Sequence, residues 1–145
     1  MPLKHEDANL ILRLYDLRRE KVMREAREWF GHDFHPANAD DYLATLRSQH
    51  SAYLRMVVTY WDMACALVLQ GGIDADMFQA TNGEHMFVFA KIQPFLAELR
   101  KKSNQPNMLT NLEKVALARP NAQEILDRMR ENQKQMRGAA KAQHS

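Results

Sequence analysis

Residues 40–70, DDYLATLRSQHSAYLRMVVTYWDMACALVLQ, decide how this chain folds. Apolar residues recur along the stretch at alternating spacings of three and four, which is the period of one face of an α-helix. Gly71 and Gly72 end the pattern, and Asn38 or Asp40 can cap its start. The stretch therefore predicts one helix from about residue 40 to about residue 70. Its apolar face comprises Leu43, Leu46, His50, Tyr53, Val57, Tyr60, Ala64 and Leu67.

A second apolar stripe runs beside the first one on the same predicted helix. Arg55, Thr59 and Asp62 mark the opposite side, which we expect to face solvent. Two adjacent stripes make a wide apolar face, so we expect this helix to pack against more than one neighbour and to form the centre of the protein. The second stripe comprises Leu54, Val58, Trp61, Cys65 and Val68.

The segments on either side of the central stretch also show helical periodicity. The first predicted helix extends to about Phe30, with a shift of phase near Asp16–Arg19 that indicates a bend or break. Pro94 lies inside another predicted helix, where it should cause a kink. The expected fold is an all-α, irregular bundle of about five helices in a single domain over residues 1–137, followed by a frayed tail over 138–145. A short turn or helix is predicted over about 74–80, and the further predicted helices cover about 84–102, 109–118 and 121–137.

Composition agrees with long helices and few connections. The chain has 145 residues with only five glycines and five prolines, fewer turn formers than a β-rich fold needs. Its one cysteine, Cys65, fits a reducing compartment. The first ten residues lack the apolar run of a signal peptide, and charged residues interrupt the most apolar stretch. We therefore expect a cytoplasmic protein without a membrane span.

His32 and His35 are the candidate metal ligands, because Asp40 and Asp41 follow closely and both residue types bind zinc or iron. The alternative is a pair of solvated loop histidines. The paired Glu-x-x-His motifs of a di-iron bundle are missing from the sequence. We therefore expect no metal and no other cofactor.

His50, Trp61 and His85 are the candidate binding residues. His50 lies within an apolar stripe and His85 follows an acidic residue at a predicted helix start, so either could face a ligand. The competing interpretation is that all three belong to the packed core, where a buried histidine is satisfied by a neighbouring polar group. No residue has the surroundings that predict catalysis, and Cys65 in the apolar stripe should be inert packing.

Basic residues concentrate toward the end of the chain. Residues 1–97 carry 10 basic and 13 acidic side chains, whereas residues 98–145 carry 10 basic and 5 acidic ones. The last predicted helix lacks the interleaved aromatic residues of many nucleic-acid-binding surfaces, so we do not expect nucleic acid as the partner. Its basic strip comprises Arg128, Arg130, Lys134, Arg137 and Lys141.

Three segments resemble uncharacterised bacterial helical proteins that are grouped as a domain of unknown function. They are LYDLRREKVMREAREWF, YWDMACALVLQGGID and TNGEHMFVFAKIQPFL, within roughly the first hundred residues. The resemblance implies a bacterial cytoplasmic protein and brings no known activity, so it assigns no functional residue.

These observations favour a non-enzymatic helical interaction module that associates with itself, as a dimer. The wide apolar face of the central helix carries this expectation, because apolar surface left uncovered usually binds a partner. One alternative is a helical bundle that binds a small molecule or a metal, with or without enzymatic activity. It would use His32, His35, His50 or His85. A second alternative is a nucleic-acid-binding protein that uses the basic C-terminal helix.

Overall fold

The computed structural model describes residues 4–143, and these residues form helices joined by short connections. No strand occurs among them, which confirms the predicted all-α class. A 3₁₀ segment, Gln93–Phe95, joins the sixth and seventh helices. The helices are α1 (Lys4–Arg18), α2 (Lys21–His32), α3 (Ala39–Leu46), α4 (Ser51–Leu69), α5 (Ala75–Thr81), α6 (Glu84–Ile92), α7 (Leu96–Lys102), α8 (Thr110–Ala118) and α9 (Ala122–Gln143).

The break predicted near Asp16–Arg19 is confirmed, because α1 and α2 are separate helices. Glu20 lies between them and caps α2, with its side chain accepting a hydrogen bond from the Met23 amide at 2.9 Å. A side-chain acceptor at this position satisfies one of the amides that a helix start leaves unpaired. Glu20 therefore marks the start of the second helix.

The prediction of one helix over 40–70 is wrong, because this stretch forms α3 and α4 with a turn between them. The Ser48 hydroxyl donates to the Thr45 carbonyl at 2.7 Å and accepts from the His50 amide at 3.0 Å. Serine hydroxyls compete with the helix for backbone partners, and here the competition ends α3. His50 consequently precedes α4 instead of lying inside a helix.

The α4 helix is nevertheless the centre of the fold. It packs extensively against α2 and α8, and more lightly against α3, α5 and α6, which confirms the prediction of several neighbours. Its length and composition would also suffice to cross a membrane, but core helices satisfy the same criterion, so this is weak evidence for a span. Its buried residues are Leu54, Val57, Val58, Trp61, Ala64, Cys65 and Val68.

The kink predicted at Pro94 is also present. Pro94 lies in the 3₁₀ segment that separates α6 from α7, where its missing amide leaves no α-helical hydrogen bond unmade.

The last helix is longer than predicted. Its end was expected near Arg137, but α9 continues through Gly138 to Gln143, which includes most of the stretch predicted to fray. Residues 144 and 145 of that stretch lie outside the described residues. The first half of α9 packs on α6 and α8, with Leu126 completely buried. The second half of α9 lies beside α2 and α6, since Met136 and Ala140 line one space with Gly31 and Phe87.

Candidate functional site

The structure places Trp61 and His85 together and His50 elsewhere. Trp61 and His85 are both fully buried, with ring centroids 6.1 Å apart. His50 is half-buried before α4, and its ring stacks on Trp29 with 5.1 Å between centroids. The three side chains therefore do not form one site.

His85 has the surroundings of a core histidine. Gln79 donates from Nε2 to the Val115 carbonyl, which leaves its Oε1 to accept from His85 Nε2 at 3.0 Å. The proton of the neutral ring therefore lies on Nε2. Burial lowers the pKa of His85 to about 4, with a smaller contribution from the charge of Arg119. The ring is uncharged at neutral pH and fixes α5 and α8 around α6.

His32 and His35 do not form a metal site with the nearby aspartates. His35 Nε2 donates to the His32 carbonyl at 2.8 Å. Asp40 pairs with Lys102 at 2.7 Å, and Asp41 accepts from the Ala37 amide at 2.8 Å. Among residues 4–143, no group of three histidine, cysteine or acidic side chains is arranged to hold a metal ion.

Cys65 is buried in the core, as the apolar stripe predicted. Burial raises the pKa of its thiol to about 12, and the nearby charge of Asp62 acts in the same direction. The thiol therefore stays protonated at neutral pH, which makes it a packing residue.

Most of the exposed large apolar side chains belong to α1, α2 and α4. Of the ten large apolar residues that the structure exposes, eight lie on α1, at the start of α2 or in the second half of α4. A large exposed apolar patch usually marks an interaction surface. Leu10 and Leu17 share one face of α1, Met63 and Leu67 share one face of α4, and Leu17 and Met63 line one groove. We call the surface formed by Leu10, Leu17, Met63 and Leu67 the α1–α4 apolar face.

The α1 helix lies antiparallel to α4 and is held near both of its ends. Asp7 accepts from the Asp74 amide, beyond the end of α4, at 2.8 Å. At the other end, the Tyr60 hydroxyl donates to the Leu14 carbonyl. Leu14 and Ile11 are the side chains that α1 buries. A groove of about 510 Å³ remains between the helices, lined by Leu17, Glu20, Met23, Met56, Thr59, Tyr60 and Met63.

A second concave surface lies where α9 passes the connection between α2 and α3. This cleft of about 420 Å³ has five basic residues in its lining and no acidic one. We call it the basic cleft. Its lining comprises His35, Pro36, Ala37, Ala90, Lys91, Pro94, Phe95, Arg130, Gln133, Lys134 and Arg137.

Lys91 is the most buried cation of the basic cleft, with 6% of its surface exposed. Its ammonium donates to the carbonyls of Phe30, Gly31 (3.4 Å) and Phe34 (2.6 Å), so it caps the end of α2. Burial lowers the pKa of Lys91 to about 7, and the charge of Arg137 lowers it further. This lysine connects the rigid core to the wall of the cleft.

The basic cleft continues into a neighbouring compartment of about 610 Å³. His35, Gln133 and Arg137 line both spaces and form their boundary. The rest of the second compartment is more apolar, apart from the ion pair of Arg27 and Glu84. Its remaining lining residues are Gly31, His32, Phe87, Met136 and Ala140.

The sequence predicted His35 as a candidate ligand and a basic strip on the last helix, but not that the two are neighbours. Arg130, Lys134 and Arg137 recur at spacings of four and three, so they share one face of α9. Lys91 was missed, although a single lysine within the apolar stretch FVFAKI is a signal for a buried cation. Only the packing of α9 brings these residues to His35.

The chain is thus an all-α protein built on a buried central helix, with one apolar face and one basic cleft on its surface. The DUF4760 domain of unknown function matches residues 4–119, and the chain belongs to this family. No curated protein and no solved structure shows significant similarity to the chain. The match ends before α9, so one wall of the basic cleft lies outside the matched region.

Proposed function

We propose that the protein is a non-enzymatic helical interaction module that forms a dimer through the α1–α4 apolar face. The exposed apolar side chains of Leu10, Leu17, Met63 and Leu67 on this face carry the proposal. Bringing two such faces together removes apolar area from water, at about 25 cal/mol for each Å². Two further exposed apolar residues, Leu117 and Met136, lie on α8 and α9.

The charges of α1 favour a second copy of the chain as the partner. Glu6, Leu10, Arg13 and Leu17 share one face of the helix, because their spacings are four, three and four. Glu6 and Arg13 are both exposed. Two antiparallel copies of α1 place Glu6 of each helix opposite Arg13 of the other, on either side of Leu10. Opposite charges around an apolar centre select orientation and partner.

The non-enzymatic part of the proposal is supported by the roles of the buried titratable groups. His85 binds Gln79, and Lys91 caps the end of α2. Cys65 is held as a protonated thiol by burial. Each of these groups has a structural task that explains its position. The buried thiol is also compatible with a reducing compartment, and we place the protein in the bacterial cytoplasm.

Dimer formation is tested by light scattering after size-exclusion chromatography, from about 1 μM to about 1 mM protein. We expect the mass to approach twice that of the chain as concentration rises. Met63→Glu introduces a charge into the apolar face and should keep the protein monomeric at all of these concentrations. The matched control is Leu117→Glu, because Leu117 is 45% exposed on α8 against 44% for Met63. A wild-type protein that stays monomeric at about 1 mM would overturn the proposed dimer.

A charge reversal tests the orientation of the two copies. Arg13→Glu places two acidic residues opposite each other and should weaken the dimer about threefold to tenfold at low salt. Adding Glu6→Arg in the same chain restores opposite charges and should restore the dimer. A double variant as weak as Arg13→Glu alone would contradict the antiparallel contact of α1 with α1.

A further inference from the structure

We propose that the basic cleft binds an organic anion with a phosphate or carboxylate head and a compact apolar body. The head lies among Lys134, Arg137 and Gln133, and the body enters the neighbouring compartment beside Phe87 and Met136. This site is separate from the α1–α4 apolar face and adds a ligand-binding function to the proposed interaction module.

Part of the positive charge in the basic cleft has no ion-pair partner among the described residues. Lys134 and Arg137 make no ion pair with any other residue in the described range 4–143. Arg130 donates to the Ala90 carbonyl at 3.0 Å and pairs with Asp127 at 2.6 Å. The charge of Arg137 acts on both Lys91 and His35. A bound anion would offset this repulsion within a partly dehydrated space, where electrostatic attraction is stronger than in water.

Two buried polar atoms lie at the boundary of the two compartments. Gln133 Nε2 is buried and has no hydrogen-bond acceptor among the described residues. His35 Nδ1 is also buried without a hydrogen-bond partner among these residues. The His35 ring already donates from Nε2 to the His32 carbonyl. Gln133 can donate to an anionic oxygen, and His35 can do so once its ring is protonated. Buried donors of this kind usually have a partner.

The two compartments differ in chemistry, because one is basic and the other is more apolar. The basic cleft has no acidic residue in its lining, whereas the second compartment offers Phe87, Met136 and Ala140. The second compartment does contain Glu84, but Arg27 and Arg18 pair with it at 3.0 and 3.6 Å. An anionic head with an apolar body matches this arrangement, since ligand sites combine apolar walls with a few placed polar groups.

The experiment is calorimetric titration of the full chain at low salt with phenyl phosphate, inorganic phosphate and phenol. We expect saturable binding of phenyl phosphate with one site per chain, weaker binding of inorganic phosphate, and none of phenol. Arg137→Gln and Lys134→Gln should each weaken phenyl phosphate about tenfold, because each removes a charged partner of the head group. Met136→Ala should weaken phenyl phosphate about threefold and leave inorganic phosphate unchanged.

The matched control is Arg128→Gln, which removes the same charge from the same helix. Arg128 is exposed, does not line either compartment and lies on the opposite face of α9. We expect this variant to bind phenyl phosphate as the wild type does. Thermal unfolding of each variant identifies any loss of affinity that comes from misfolding. Lys134→Gln is the variant least affected by misfolding, because Lys134 is solvent-exposed.

Three results would overturn the proposal. One is the absence of saturable phenyl phosphate binding up to about 10 mM ligand. Another is an equal loss of affinity in Arg128→Gln and Arg137→Gln, which would indicate general attraction to a basic surface. The third is binding only to duplex oligonucleotides or to vesicles of anionic lipid, with phenyl phosphate unable to compete. Met63→Glu keeps the cleft intact, so loss of the dimer and loss of the ligand site can be told apart.

Discussion

Lys91 shows how one buried residue can serve both the fold and the surface. Its ammonium lies among three carbonyls and against the rings of Phe30 and Phe87, each 5.1 Å away. The carbonyls and rings favour the charged form, whereas burial disfavours it. Burial dominates and lowers the pKa of Lys91 to about 7. Protonation of this residue is therefore coupled to folding.

This coupling predicts how stability depends on pH. An unfolded lysine has a pKa of about 10.4, so between about pH 7 and pH 9.5 the unfolded state binds more protons at this residue than the folded state does. The stability linked to Lys91 is complete above the unfolded pKa and is lost as pH falls toward 7. The wild type should gain about 3 kcal/mol over Lys91→Met between pH 7 and pH 9.5, measured by urea unfolding.

The control for this pH dependence is Lys101→Met, which changes an exposed lysine at the end of α7. Its stability should follow that of the wild type across the same pH range. Parallel curves for the wild type and Lys91→Met would contradict the prediction and would mean that the carbonyls keep the ammonium protonated. The difference between two curves is used because other groups titrate equally in both proteins.

Residue-level expectations from the sequence were accurate where burial follows from helical period. Trp61 and Cys65 were placed in an apolar stripe, and both are fully buried. The position of His50 was wrong, because its stripe ran through a turn that Ser48 creates. Periodicity records which residues are apolar, but it does not show where a serine side chain replaces a backbone partner.

At the scale of elements, the fold depends on how separate helices are held against α4. The sequence predicted the existence of most helices, because their apolar periods are long and regular. It did not predict the contacts of α1, which depend on Asp7 reaching the Asp74 amide and on Tyr60 reaching the Leu14 carbonyl. Such contacts join residues distant in the chain, and no local pattern records them.

The hydroxyl of Tyr60 should therefore control the local stability of α1. Tyr60→Phe removes the donor to the Leu14 carbonyl while keeping the ring that packs on Trp61 at 4.9 Å. Loss of one such hydrogen bond costs about 1 kcal/mol, so amides of α1 should exchange about fivefold faster. Hydrogen exchange measured by mass spectrometry would show this in α1 peptides, with α8 peptides unchanged.

The comparison for α1 is Tyr53→Phe. The Tyr53 hydroxyl donates to Glu25 at 3.1 Å, which joins α4 to α2 instead of α1. This variant should leave the exchange of α1 amides as in the wild type. Equal protection of α1 in Tyr60→Phe and the wild type would show that the apolar contacts of Ile11 and Leu14 alone hold the helix.

At the scale of the whole molecule, the family region and the folded unit have different ends. The family match covers residues 4–119, whereas the core continues into α9 through Ala122 and Leu126. Leu126 is completely buried between α9 and the helices it covers, α6 and α8. The basic cleft likewise needs both parts, because Lys91 comes from α6 and Arg137 from α9. Both the fold and the candidate ligand site therefore depend on α9.

A chain that ends at Arg119 should consequently be much less stable than the full protein. Removing α9 exposes the apolar surface of α6 and α8, and Leu126→Ala alone should already cost about 2–4 kcal/mol in urea unfolding of the full chain. A chain that ends at Arg137 is the control, since it keeps Leu126 and removes the exposed positions 138–141 together with the residues after them. Its stability should lie within about 0.5 kcal/mol of the full protein. If the chain ending at Arg119 instead unfolded at the same urea concentration as the full chain, α9 would be an appendage, and the cleft would have only one rigid wall.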